Sequence, residues 1–292
     1  MEPFRLACNA MACRFEIALY GDSPMRLRAA AQEALAEVER LDALLSRFRG
    51  SSELSGVNTR AADEPVRITP ELFGLLLECR QLHELTAGAF DITVGPLMEC
   101  WRFREEAPCP PDEMALSAAL ARVGMRNVLL DPDTCTVRFA HPGMSLDLGG
   151  IGKGYAVACA ADVLRELEIP GALLHAATSS VYAIGAPPEE EAWQVAVRNP
   201  HGETEPPVIL ALRDCGLSVS GVHGRGFTYA GHYYGHVLDP RTGRPSQGPP
   251  QAAVVHPSPV VAEALSTALL IGGKELAAHL QRSIPEATLH LF

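Results

Sequence analysis

Three Ser/Thr-Pro pairs constrain this chain more than any other feature. Ser23-Pro24, Thr69-Pro70 and Ser258-Pro259 each pair a hydroxyl that can cap a helix with a proline whose fixed φ suits the first helical turn. After the first pair, Leu27, Ala31, Ala34, Val38, Leu41 and Leu45 recur at helical spacing, which predicts a helix laid on a sheet and ending near Phe48. After the second, Leu72, Leu75, Leu76, Cys79 and Leu82 form the apolar stripe, and Gly88 follows the helix end. The third opens an almost wholly apolar helix through Ile271, followed by a shorter one near 274–281 and a terminal strand over 288–292.

Strands fall between these helices. Residues 14–20 alternate in strand fashion, and 128–139 read as a hairpin about Asp131-Pro132-Asp133. A further helix is expected over 154–167, then strands over 172–176, 181–184, 193–197, 208–212 and 227–238. Residues 108–111 and 187–191 read as exposed loops rather than linkers, and no repeat is present. Interleaving of this kind predicts a mixed α/β or α+β class, and residues 1–292 fit either one large domain or two closely joined ones.

Composition narrows the function. The 292 residues are 47% hydrophobic and 20% charged, enough to bury a substantial core. With 24 Lys+Arg against 35 Asp+Glu, the net charge of −11 leaves no global positive field for nucleic acid or an anionic membrane. A phosphorylated ligand must therefore be held locally. No apolar stretch approaches the roughly 18 consecutive residues of a membrane span. The first residues lack a basic segment followed by an apolar one, so the cytoplasm is the expected location. Eight single cysteines, without a CxxC pair, read mostly as small buried hydrophobes in a reducing compartment.

Four segments could carry chemistry. Asp147-Leu148-Gly149-Gly150-Ile151-Gly152-Lys153-Gly154-Tyr155 is a glycine-rich turn entering a helix, where backbone N–H groups, the helix N-terminus and Lys153 could receive a diphosphate. It is neither a P-loop nor GxGxxG, and a tight strand-to-helix connection accounts for it equally well. Gly88–Leu97 sets Ala89, Phe90, Asp91 and Thr93 between two glycines, as a turn with a short buried strand or as a site. In His236-Val237-Leu238-Asp239-Pro240-Arg241-Thr242-Gly243, His236 is the candidate base because imidazole titrates near neutrality, while Asp239 suits an Asx-turn. Glu263 and Thr267 lie four apart on the late helix and could converge on a hard cation. Alternatively, Thr267 bonds back to its helix and Glu263 is partly exposed. A carboxylate on so apolar a helix nevertheless calls for a partner.

Taken in this order, the segments resemble the ApbE family, the FAD:protein FMN transferases. Met11-Ala12-Cys13, Ser52-Glu53-Leu54-Ser55 with Asn58, Gly88–Leu97, Asp147–Tyr155, Ser179–Gly185, His236–Gly243 and Glu263–Thr267 carry the resemblance across nearly the whole chain. It implies an α+β fold, a single mixed α/β domain of the ApbE, T-fold-like type. It also implies Mg²⁺-dependent transfer of FMN from FAD to a Ser or Thr hydroxyl of an acceptor flavoprotein, with release of AMP. By motif, Met11, Phe48, Ala89, Phe90, Asp91, Asp147, Lys153 and Val237 fall where the family contacts FAD. The Gly150 carbonyl, Glu263 and Thr267 fall where it holds the metal, and His236 where a general base is proposed. An FAD pyrophosphatase or a non-catalytic FAD-binding protein are the alternatives.

Several positions depart from the family pattern. Glu263 replaces Asp, which keeps the ligand type and moves the carboxylate outward. His175-Ala176-Ala177-Thr178 replaces Asn-x-Gly-Gly, and Ala12 replaces a glycine beside Met11. Ala158 stands for a common helix Asp, and Val222 for the Asp that follows Ser-Gly.

Overall fold

The computed structural model describes residues 2–200, 205–222 and 224–292. The chain opens with the hairpin β1 (Phe4–Ala10) and β2 (Cys13–Tyr20), then α1 (Pro24–Leu45), α2 (Glu53–Arg60), β3 (Val66–Arg67) and α3 (Pro70–Leu85). Two short helices, α4 (Gly95–Trp101) and α5 (Glu113–Leu120), precede the hairpin of β4 (Val128–Asp131) and β5 (Thr136–Phe139). Next come α6 (Gly152–Glu166), β6 (Gly171–Ala176), β7 (Ser180–Ile184), β8 (Trp193–Val197), β9 (Val208–Leu212) and β10 (Cys215–Gly221). The last part holds β11 (Gly226–Tyr229), β12 (His232–Gly235), β13 (Gln251–His256), α7 (Pro259–Ser283) and β14 (Thr288–Leu291).

All three proline-led helices start where the sequence predicts. Ser23, Thr69 and Ser258 accept from the backbone N–H three residues on, at 3.4, 3.3 and 3.4 Å. The first helix stops at Leu45, so Phe48 lies beyond it. Gly273 leaves helical geometry at φ 55°, ψ −144°, which divides α7 at the expected place.

The main sheet is antiparallel throughout, in the order β1-β2-β6-β7-β10-β13-β14. The largest core joins its β1, β2 and β6 strands to α1, α3, α6 and α7 through residues such as Ile17, Leu41, Leu76, Ala160 and Leu265. A second core places Trp193, Val197 and Leu212 of the β8–β9 hairpin against Val181, Ala183, Leu217 and Ala253. At the centre of the sheet, β7 is buried at every position. A third cluster packs Leu97, Trp101 and Leu116 on Phe227 and Leu238, and Trp101 Nε1 donates to the Gly243 carbonyl at 2.7 Å. That contact anchors the segment bearing His236.

Two expectations change. Residues 227–238 form a tight hairpin rather than one strand, because Ala230 and Gly231 turn the chain with φ of 49° and 81°. The cysteines are not mostly buried: Cys79 is, Cys109 is exposed and the other six lie between, all as free thiols. Small polarizable side chains tolerate such boundary positions. Among the described residues, no helix is long and apolar enough to cross a membrane.

Candidate functional site

The glycine turn is built before any ligand arrives. Asp147 accepts from Gly149 N through Oδ1 at 2.8 Å and from Arg47 Nη1 through Oδ2 at 2.7 Å. Its own N–H donates to the Ile92 carbonyl at 2.7 Å, which ties the turn to the loop before α4. The carboxylate thus holds the turn closed and recruits Arg47. Beside that arginine, Phe48 is 63% exposed, with the guanidinium carbons of Arg47 and Arg104 at 5.1 and 4.2 Å from its ring centre. An aromatic face flanked by two cations beside a glycine turn offers a stacking surface for a planar anionic ligand.

One turn into α6, the helix meets α7 almost at van der Waals limit. A Cβ on Gly154 would stand 2.5 Å from the Pro259 carbonyl oxygen, so only glycine permits this approach. Closeness brings the Glu263 carboxylate, 3% exposed, onto both Gly154 N and Lys153 Nζ in short contacts, with Ser180 Oγ at 3.4 Å. The partner that a carboxylate on an apolar helix requires is therefore Lys153. Burial works against the ammonium, yet Glu263 overrides it and holds the Lys153 pKa above its ordinary value.

Thr267 follows one helical turn later. Its Oγ1 lies 3.5 Å from Ser220 Oγ and 3.7 Å from where a Gly150 Cβ would be, and the same point is 3.6 Å from the Phe90 ring. Phe90, Gly150, Thr267, Glu263 and Lys153 are thus one contiguous patch. A buried carboxylate and a threonine hydroxyl one helical turn apart, with the Gly150 backbone next to the threonine, are hard oxygen donors, which suits Mg²⁺ or Ca²⁺ in type. The donor set fits a divalent ion in exchange for the ammonium now on Glu263.

His236 lies within electrostatic reach of Lys153. Its backbone N–H and its Nδ1 both meet the Arg225 carbonyl, at 3.0 and 2.9 Å. Burial, with the cations Arg225 and Lys153 adding to it, lowers the imidazole pKa despite that hydrogen bond. The ring is neutral at pH 7, with Nε2 as its basic nitrogen. Val237 is half-buried, and its carbonyl accepts from Ser246 N at 2.8 Å. Asp239 makes the turn expected of it, accepting from Arg241 N at 2.9 Å.

Other expected residues lie elsewhere. Asp91 is buried and its carboxylate is used internally: Thr93 N and Oγ1 donate at 2.7 and 2.6 Å, Met125 N at 3.3 Å, and His83 Nδ1 lies 3.2 Å away. Its side chain braces the loop, and Ala89, 1% exposed, is enclosed. Met11 sits in the β1–β2 turn, where its N–H donates to Asp42 Oδ1 at 2.9 Å. Sequence reasoning passed over Arg47, Ser180, Ser220 and Arg225. The available signals were the Ser179–Gly185 segment for Ser180 and adjacency for two others, Arg47 to Phe48 and Ser220 to Gly221.

Cys13 also lies within electrostatic reach of Lys153, Glu263 and Arg225, and burial pushes its thiol up.

The chain matches the ApbE family over residues 11–290. It is 30% identical to the FAD:protein FMN transferase of Treponema pallidum over 289 residues, covering 94% of this chain and 79% of that protein. A Haemophilus influenzae protein of the same name is 30% identical over 256 residues, 84% of this chain and 73% of its own. Among solved structures, the ApbE protein of Thermotoga maritima superposes with a TM-score of 0.89 at 28% identity, covering 99% of this chain and 94% of that one. The Pseudomonas stutzeri flavinyl transferase ApbE in its apo form gives 0.86 at 27%, covering 100% and 91%. With residues 11–290 matched, the glycine turn, α7 and His236 among them, the chain belongs to the ApbE family.

Proposed function

We propose that this protein transfers the FMN half of FAD to a Ser or Thr hydroxyl of an acceptor flavoprotein and releases AMP, with Mg²⁺ as the ion. The observation that carries the reading is His236, with Nδ1 on the Arg225 carbonyl, Nε2 basic, and the ring within electrostatic reach of Lys153. By the family motif, Phe48, Phe90, Asp147, Lys153, Val237 and Met11 are the residues that would contact the dinucleotide.

Phosphoryl transfer asks a protein for positioning and charge neutralisation more than for covalent chemistry. Glu263, Thr267 and the Gly150 carbonyl would hold the ion, which when bound neutralises charge on the bridging phosphates. Lys153 and the amides of the glycine turn add fixed positive potential in a chain of net charge −11. His236 Nε2 takes the proton as the acceptor oxygen bonds to the FMN phosphorus; the phosphoanhydride bond breaks and AMP leaves with its oxygen. The Arg225 carbonyl steadies the imidazolium through Nδ1.

Incubation with FAD, Mg²⁺ and a candidate acceptor flavoprotein, followed by denaturing electrophoresis, should leave flavin fluorescence on the acceptor band. FMN and AMP formed without acceptor would identify a pyrophosphatase. FAD retained with no AMP under any divalent ion would identify a binding protein.

A further inference from the structure

Glu263 is bonded to one cation and placed to hold another. Its carboxylate meets Lys153 Nζ and Gly154 N, while Thr267, one helical turn on along the same helix, packs against Gly150 of the glycine turn. We infer that Lys153 and a divalent cation compete for the Glu263 carboxylate, and that cation binding releases Lys153 toward the phosphates of FAD. The inference rests on the FMN-transferase reading for the identity of that dinucleotide.

Three features support exchange rather than a permanent pair. A carboxylate 3% exposed cannot remain without a compensating charge, so something must occupy it before a metal arrives. The Gly154 N–H holds Oε2 from the helix backbone, so the carboxylate stays aimed when the ammonium leaves. The Lys153 side chain is 23% exposed against 3% for that of Glu263, so the lysine sits at the boundary between the pair and the open side of the site. Its flexible stem springs from the first turn of α6, directly after the glycine turn, where a phosphate would lie. An ion and an ammonium crowded on one carboxylate repel each other, so the ammonium moves to the nearest anion. Metal and dinucleotide then strengthen each other's binding, reciprocally.

The test measures Mn²⁺ binding to the full chain without FAD, by electron paramagnetic resonance of the free ion. Lys153→Met removes the competitor and should tighten Mn²⁺ binding by about tenfold or more; unchanged or weaker binding overturns the inference. Should that variant not fold, the wild type decides. Acylation of Lys153, followed by mass spectrometry, should rise several-fold when Mn²⁺ is added without FAD, and labelling indifferent to Mn²⁺ overturns the inference. Acceptor flavinylation is scored separately. Transfer without competition removes only this inference, and competition without transfer removes only the transferase reading.

Discussion

Nδ1 of His236 lies 2.9 Å from the carbonyl oxygen of Arg225. A carbonyl only accepts, so Nδ1 carries the proton and the neutral ring keeps its lone pair on Nε2. The tautomer needed of a general base is thus set by one backbone oxygen, itself placed by the start of β11.

His236→Ala should lower FMN transfer by about 10²–10⁴-fold while FAD affinity is kept. Acceptor fluorescence and an FAD titration check the two halves. The protonated ring cannot accept, so the rate falls as pH drops through the His236 pKa. Burial holds that value low, which puts the acid limb of kcat/KM below the ordinary imidazole value of about 6.5. An acid limb centred above that value would exclude His236 as its source.

Gly154→Ala and Gly152→Ala should separate cleanly. At Gly154 the new methyl meets the Pro259 carbonyl at 2.5 Å and Glu263 Oε2 at 3.0 Å, so α6 and α7 must part, at a cost of about 1–3 kcal/mol or more. At Gly152 nothing lies within 4 Å of the added Cβ, and alanine favours the helix by up to about 1 kcal/mol. Thermal melting should show a lowered Tm for the first and an unchanged or raised Tm for the second. The opposite order would mean the helix approach is not as close as described.

Ala12→Gly should stabilise the protein by about 1 kcal/mol, read from urea denaturation. Met11 and Ala12 turn the first hairpin with φ of 49° and 56°, a left-handed pair that disfavours residues with a Cβ. No gain in midpoint would place the turn elsewhere in conformational space.

His83 provides a pH test remote from the site. Its hydrogen bond to Asp91 raises the imidazole pKa, with burial opposing. A raised folded value means the stabilisation is complete below the unfolded value of about 6.5 and is lost as pH rises through the folded one. The stability lost in His83→Gln should therefore be larger near about pH 5.5 than near about pH 9. An equal loss at both would break the pairing of these two residues.

Local chemistry made much of the scaffold readable. Hydroxyl-proline caps and apolar spacing located α1, α3 and α7, and Gly273 divided the last helix where the pattern lapsed. The edge strand β1 and the inner strands β10 and β13 left no comparable mark. Strand identity there comes from partners distant in the chain, and short apolar runs do not announce it. The double turn at Ala230-Gly231 was hidden because one of its left-handed residues is not glycine.

For the site, residue types raised Asp147, Lys153, His236, Glu263 and Thr267 as candidates, and the family resemblance supplied the roles proposed for them. Folding alone decided how they are paired. Nothing linear couples Lys153 to Glu263, aims His236 through an arginine carbonyl, or turns Asp91 inward to serve His83 and Thr93. Side-chain spacing along a helix or strand follows from fixed backbone periods, so sequence reveals it. Pairing across elements follows from how closely two backbones approach, and here that distance was set by a glycine, Gly154, against the carbonyl of Pro259.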